Sequence, residues 1–233
     1  MSYNQEIVDS ISEEKLKGLL LKNKFVLEEK NVDLTNNNQY RQAIVYYFAE
    51  RNERERLFKI IETLEHVFRN SLHTVIRNKY KNSNWLTEVS HSAMNSNIYK
   101  DFKNRLDHET FGSFYYTLSK EKKNLVRAKY TVTEGQLVAK LTFGFWVRLL
   151  RDSKYQPLYD DIDILLAVFK NEDNPEKRKN LNNQIKEVVD ERNRIFHGEM
   201  PNMKPTTLVK TCKSLLEAIS KDTFDLVQSH FDF

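Results

Sequence analysis

Apolar positions in this chain recur at three- and four-residue steps, which is the period of a helix face. The clearest run is Leu57, Ile61, Leu64, Phe68, Leu72 and Val75, which predicts a helix from about Glu53 to Lys79. Upstream, Ser12 followed by two glutamates predicts a helix start, with the helix running to about Lys30. The asparagine-rich tract Asn31 to Gln39 reads as a loop, and Tyr40 to Arg51 as a short aromatic helix. Beyond Lys79, Asn82-Ser-Asn-Trp85 breaks the pattern. Helices are then expected over about Asn95–Leu106 and Ser113–Asn124. Thr133 with Gln136 three residues on forms a capping box, and Leu137, Leu141, Phe145 and Leu149 carry one helix to about Arg151. Pro157 is expected to start a helix reaching Phe169. Asn174-Pro175, a cap followed by proline at the first helical position, predicts a helix to His197, with Gly198 as its left-handed stop. Pro205 starts the last helix, through Ser220 or beyond. No segment alternates as a strand would, so the expected fold is all-α. The 31–39 tract divides an N-terminal helical extension (1–38) from a helical domain (39–233), unless the two form one continuous domain.

Composition supports that reading. Only 5 glycines and 4 prolines occur among 233 residues, too few for the many turns of a sandwich or barrel. With 39% hydrophobic and 30% charged residues, the chain has both a core and a solvated exterior. One cysteine, Cys212, excludes an internal disulfide and a multi-cysteine zinc site. Flanked at helical spacing by Leu208 and Leu215, it is expected in the core, and a reducing, cytoplasmic compartment follows. The first residues lack a basic-then-apolar leader, and no apolar run is long enough to span a bilayer, so neither signal peptide nor membrane span is expected.

The net charge of +4 permits a polyanionic partner without requiring one. The excess is local. Lys120, Lys122, Lys123, Arg127 and Lys129 face the single acid Glu121, and Arg69, His73, Arg77, Lys79 and Lys81 form a second run. Each is either a solvated helix face or a surface that tracks phosphates.

Candidate chemistry lies at the end of the helix that starts at Pro175. On a wheel with Leu181 at zero, Ile185, Val188, Val189, Ile195 and Phe196 fall within about 80° of it, and Arg192 falls at about 20°, in the middle of that apolar stripe. A guanidinium cannot shed its charge, so it faces a core or interface only where an anion meets it or a cleft opens. His197 follows about 7.5 Å along the axis and about 140° round, so convergence with Arg192 requires a loosened last turn or a second copy across a two-fold axis. Asn193 is placed to orient the imidazole or nearby backbone. Such a pair suits RNA cleavage. The ribose supplies its own 2′-hydroxyl nucleophile, an imidazole moves the protons, and an arginine fork stabilises the charge on phosphorus. No metal is needed, no ligand set for one is visible, and no cofactor is expected.

Arg192-Asn-Arg-Ile-Phe-His197 resembles the arginine-to-histidine motif of the HEPN ribonuclease superfamily, and most closely its Abi-like (abortive infection) bacterial branch. Leu141-Thr-Phe-Gly-Phe-Trp-Val-Arg-Leu-Leu150 resembles that branch's internal F-G-x-W segment, and Ile60-Ile-Glu-Thr-Leu-Glu-His-Val-Phe-Arg69 its early E-x-x-x-R helix. Tyr40-Arg41 with Tyr46-Tyr47 is a looser match, and Gly198-Glu199-Met200-Pro201 stands where many relatives continue His-His-Glu-Pro. The resemblance implies a HEPN-like helical bundle with additional N-terminal helices. It implies a homodimer with a composite cleft and metal-independent endoribonuclease activity leaving 2′,3′-cyclic phosphate or 3′-phosphate ends. It further implies a role in phage defence or as a toxin, restrained by an RNA or protein antitoxin. Arg192 and His197 would then be catalytic and Asn193 supporting, with Glu65, Arg69, Arg148 and Arg194 as possible RNA contacts. The structural alternatives are an Arg192 paired with Glu187 or Glu191, a Glu65–Arg69 helical ion pair, and Arg148 and Arg194 in water. Trp146 is expected in the core, and Arg69-Asn-Ser-Leu-His73 mimics the motif by coincidence. A non-catalytic module that holds RNA or protein remains the competing function.

Overall fold

The computed structural model describes residues 11–90 and 96–230, and among these it is helical without a strand. Eleven α-helices follow in chain order: α1 Glu13–Lys22, α2 Asn37–Tyr80, α3 Trp85–Ser90, α4 Asn97–Arg105, α5 His108–Arg127, α6 Glu134–Lys140, α7 Phe143–Arg151, α8 Ile164–Val168, α9 Pro175–Phe196, α10 Pro205–Ile219 and α11 Lys221–His230. Short 3₁₀ turns occupy Glu29–Asn31 and Ser153–Leu158. The chain divides into two units, one holding the described residues up to Lys59 with Arg194–Met200, the other holding Ile60–Asn193 and the residues from Pro201 on.

In the first unit, Ile11, Leu16, Leu20, Val26, Ala43 and Ile44 form a buried cluster against which Val32, Leu34, Tyr40, Tyr46 and Tyr47 pack. The first helix stops at Lys22, short of the expected Lys30. Lys24 turns left-handed at φ 56°, and the amides of Phe25 and Val26 bond back to Leu20 O, folding Val26 under the helix. The expected pair of helices at 40–51 and 53–79 is one 44-residue helix, α2, which also takes in the end of the asparagine tract from Asn37. No proline or glycine interrupts it. Its polar middle is held by ion pairs one turn apart, Arg51–Glu55 and Arg56–Glu53, both at 2.9 Å.

In the second unit the core is aromatic. Trp146 and Trp85 are fully buried and meet edge to face at 6.4 Å, while Phe68 packs edge-on to Phe143 at 5.8 Å. Trp146 is therefore a core residue, as expected. Helix α7 buries Phe143, Phe145, Trp146, Val147, Leu149 and Leu150, apolar almost all round, as an interior helix must be. It runs beside α9, where a Cβ at Gly144 would sit 4.0 Å from Val189 Cγ1.

Several boundaries differ from the sequence pattern. The single helix expected over 133–151 is two, because Leu141 is extended and the Thr142 hydroxyl caps a new start by accepting from Phe145 N at 3.2 Å. The capping box at Thr133 forms as expected. The helix expected from Ser113 begins at His108, capped by Asp107, and runs three residues past Asn124. The helix expected from Asn95 begins at Asn97 behind the cap Ser96, and Asn95 itself lies outside the described residues. Pro157 does not start a helix. It sits inside a 3₁₀ turn whose carbonyls serve side chains, with Arg105 donating to Pro157 O at 3.0 Å and Lys79 to Leu158 O. Helix α8 starts only at Ile164. Pro205 starts α10 as expected, and α11 follows it after Ser220.

Cys212 is fully buried on α10, and burial pushes its thiol up to about 12. The thiolate is the reactive form. The folded protein is therefore expected to resist a thiol reagent such as Ellman's, and to react with one equivalent only after unfolding in denaturant. Prompt labelling of the folded chain would contradict this burial.

No helix among the described residues is long and apolar enough to cross a membrane.

Candidate active site

The motif helix α9 forms for the reasons its sequence suggests. Asn174 accepts from the amides of Glu176 and Lys177, and Pro175 occupies the first position. Leu181, Ile185, Val188, Val189 and Ile195 are buried along one face. Phe196, expected to complete that stripe, is instead 63% exposed. The helix closes on Gly198, whose φ of +79° needs a residue without Cβ. The amide of Gly198 bonds to Ile195 O and that of Glu199 to Arg194 O, both at 3.0 Å, the paired pattern of a Schellman stop. His197 thus sits one residue past Phe196, on a backbone fixed by these two bonds.

Arg192 lies within the buried stripe, its side chain 24% exposed, with Nε 3.6 Å from Glu65 Oε2. Its guanidinium also donates to Asn193 Oδ1 at 3.4 Å. Glu65, on α2, is itself buried. An anion therefore meets the arginine, but it is neither Glu187 nor Glu191. Glu187 is exposed. Glu191 is buried and accepts from the amides of Asn202 at 2.8 Å and Met203 at 3.0 Å, holding the segment that follows the motif. Glu65 pairs across to Arg192 and not along its own helix, since no Glu65–Arg69 ion pair occurs. Arg69 is half-buried, and its Nε meets no hydrogen-bond partner among the described residues.

The structure thus brings Glu65, Arg192 and Asn193 together. His197 belongs with the closing turn, where it is exposed and stands edge-on to Phe196 at 5.7 Å. In that turn Gly198 O accepts from Lys15 Nζ at 3.4 Å. Arg194 is engaged locally, with Nη2 3.0 Å from Glu199 and Nε donating to Met200 O at 3.3 Å. Arg148 is exposed on α7. Among the described residues no group of three His, Cys, Asp or Glu side chains is placed to hold a metal ion.

His73, the histidine of the near-copy of the motif, has a structural partner. Its Nε2 lies 2.9 Å from Glu134 Oε1, and its ring stacks on Trp85. Sequence spacing singles out Glu65 through the E-x-x-x-R likeness and its i, i+4 relation to Arg69, and Glu191 as a partner for Arg192, but nothing in the pattern marks Glu134 or the bonds of Glu191 to Asn202 and Met203.

No family model, curated protein or solved structure matches this chain.

Proposed function

We propose that this chain is a metal-independent endoribonuclease with Arg192 and His197 as its catalytic pair. The observation that carries the reading is a guanidinium set in the middle of a buried apolar stripe, on the same helix that presents an exposed histidine at its rigid C-terminal stop. Arg192 would stabilise the charge that builds on the phosphorane oxygens, a task suited to its planar fork. His197 would move the protons as the 2′-hydroxyl attacks phosphorus and the 5′-oxygen leaves. Asn193, bonded to Arg192, orients that fork. Glu65 holds the guanidinium from the other side at a distance longer than a hydrogen bond.

The resemblance of the 60–69, 141–150 and 192–197 segments to Abi-like proteins extends the proposal. The helices form a HEPN-like bundle, two copies pair to complete the cleft, and the activity serves phage defence or a toxin held by an RNA or protein antitoxin in the cytoplasm. The exposed Phe196 is an apolar side chain of the kind a second copy would cover.

Incubation of the purified protein with total RNA in the presence of EDTA tests this. Cleavage with 2′,3′-cyclic phosphate ends is expected, from a dimer by light scattering. A monomer at micromolar concentration that still cuts would remove the composite cleft, and intact RNA under every activating condition would favour a second reading. That reading is a module that binds RNA or protein without cutting, and the carboxylate already beside Arg192 is what favours it.

A further inference from the structure

Helix α5 carries a stripe that neither the core nor the motif explains. Its buried side chains Phe111, Phe114, Leu118 and Leu125 lie on one face. On the opposite face, Tyr116, Lys120, Lys123 and Arg127 fall within about 60° of arc, at successive steps of four, three and four residues. All four are exposed, Tyr116 at 68%.

On other helices several surface cations have an acid one turn away. Lys17 pairs with Glu13, Arg105 with Asp101, Lys179 with Glu176, and Lys221 with both Glu217 and Asp225. Two members of the second basic run of the sequence have acid partners as well, His73 on Glu134 and Lys79 on Asp161. The α5 stripe has no such acid. Lys120 and Lys123, and Lys123 and Arg127, are each other's one-turn neighbours, and no ion pair forms at any of the three among the described residues. Glu121 lies about 140° from Tyr116, off the stripe, bonded to Asn124. Like charges one turn apart repel, so the arrangement weakens the helix unless a polyanion shares it. Arg127 alone has a local reason for its charge, since it faces the helix C-terminus.

We propose that this face of α5 is a binding track for single-stranded RNA. The cations stand about 4.5 and 6 Å apart along the axis, positions that successive phosphates of one strand can occupy. Tyr116 offers an exposed ring in line with them, and Tyr130, 58% exposed just beyond the helix end, offers another. Interleaved cations and open aromatic rings suit unstacked bases on a charged backbone. A duplex keeps its bases inside and an acidic peptide has none, so neither makes use of the rings. A bilayer would need an aliphatic face, and that of α5 is turned into the core. The choice of RNA rests on the ribonuclease reading, but the track is tested by binding alone.

Fluorescence anisotropy with a labelled single strand of about 20 nucleotides, in EDTA and in a His197→Ala background, measures it. Substituting Lys120, Lys123 and Arg127 together by Gln is expected to weaken binding at least tenfold. It should also flatten the slope of log affinity against log salt by about 2, at roughly 0.7 per phosphate contact. Tyr116→Ala should weaken binding about fivefold or more. The thermal midpoint of the triple variant should hold or rise as the repulsion is relieved, and the single Lys123→Gln should show a smaller change in the same direction. Wild-type affinity and salt slope in these variants would overturn the track. So would a matched RNA duplex binding more tightly, or polyglutamate competing as well as the single strand. Absent cleavage by the wild type with these binding losses intact would sink the nuclease reading and leave the track standing.

Discussion

His197→Ala is expected to lower RNA cleavage by roughly 10²- to 10⁴-fold, the range for loss of a general acid–base group, with the thermal midpoint unchanged. The separation of the two effects follows from where the side chain sits. His197 is exposed, touches Phe196 edge-on, and owes its backbone position to the bonds around Gly198 and not to its ring. Truncating such a residue moves stability by no more than about 0.5 kcal/mol. Arg192→Ala is expected to behave differently. It too should remove cleavage, by about 10²- to 10³-fold if it acts as an oxyanion-type stabiliser. It also leaves buried Glu65 without its countercharge, so the midpoint should fall as well. Arg192→Lys keeps a charge but loses the fork, and should restore stability more than activity. Gel analysis of RNA products beside thermal melts of the three variants checks the pattern. If His197→Ala cuts as fast as the wild type, the assignment of the pair fails.

Glu134→Ala is expected to cost about 3 kcal/mol of stability, or roughly 6–12 °C in midpoint for a chain of this size. One carboxylate, nearly buried on α6, accepts from His73 Nε2, from Leu86 N and Thr87 N at the start of α3, and from the Thr87 hydroxyl, all within 2.7–2.9 Å. Removing it leaves two backbone amides and a ring nitrogen without their acceptor beside Trp85 and Trp146. The same bonds give the site a pH signature. Burial by itself raises the carboxyl's pKa, but the bonds from His73, Thr87 and the two amides outweigh it and hold the group below its ordinary value of 4.5. A depressed native pKa contributes stability above the unfolded value and loses it as pH falls through the native value. Denaturant titrations should therefore show the wild type losing this contribution as pH falls below about 4.5. Glu134→Gln, which cannot ionise, should lack that part of the acid dependence. Equal stability of wild type and Glu134→Ala at neutral pH would refute the network's role.

Local rules of the chain were enough for the helical class and for the start and stop of the motif helix. The 3.6-residue period, the Asn174-Pro175 start and the Gly198 stop act between neighbours, so they are legible without a fold. Where these rules misled, a side chain distant in sequence had taken over the backbone or the charge. Arg105 and Lys79 occupy the carbonyls around Pro157 and prevent the helix expected there. Helix α2 runs unbroken through a polar stretch that looked like a boundary, because acids and bases one turn apart pair along it. The burial of a guanidinium was readable from its place on the wheel, but its partner was not. Arg192 meets Glu65, 127 positions away in the sequence, and Glu191 beside it turns to the amides of Asn202 and Met203. The sequence by itself thus determined the helical class, the bounds of the motif helix and the side of it on which Arg192 stands. Only the tertiary structure decided which carboxylate faces which cation, because that choice is made by packing between helices, and the helical period records only the side of the helix on which each charge stands.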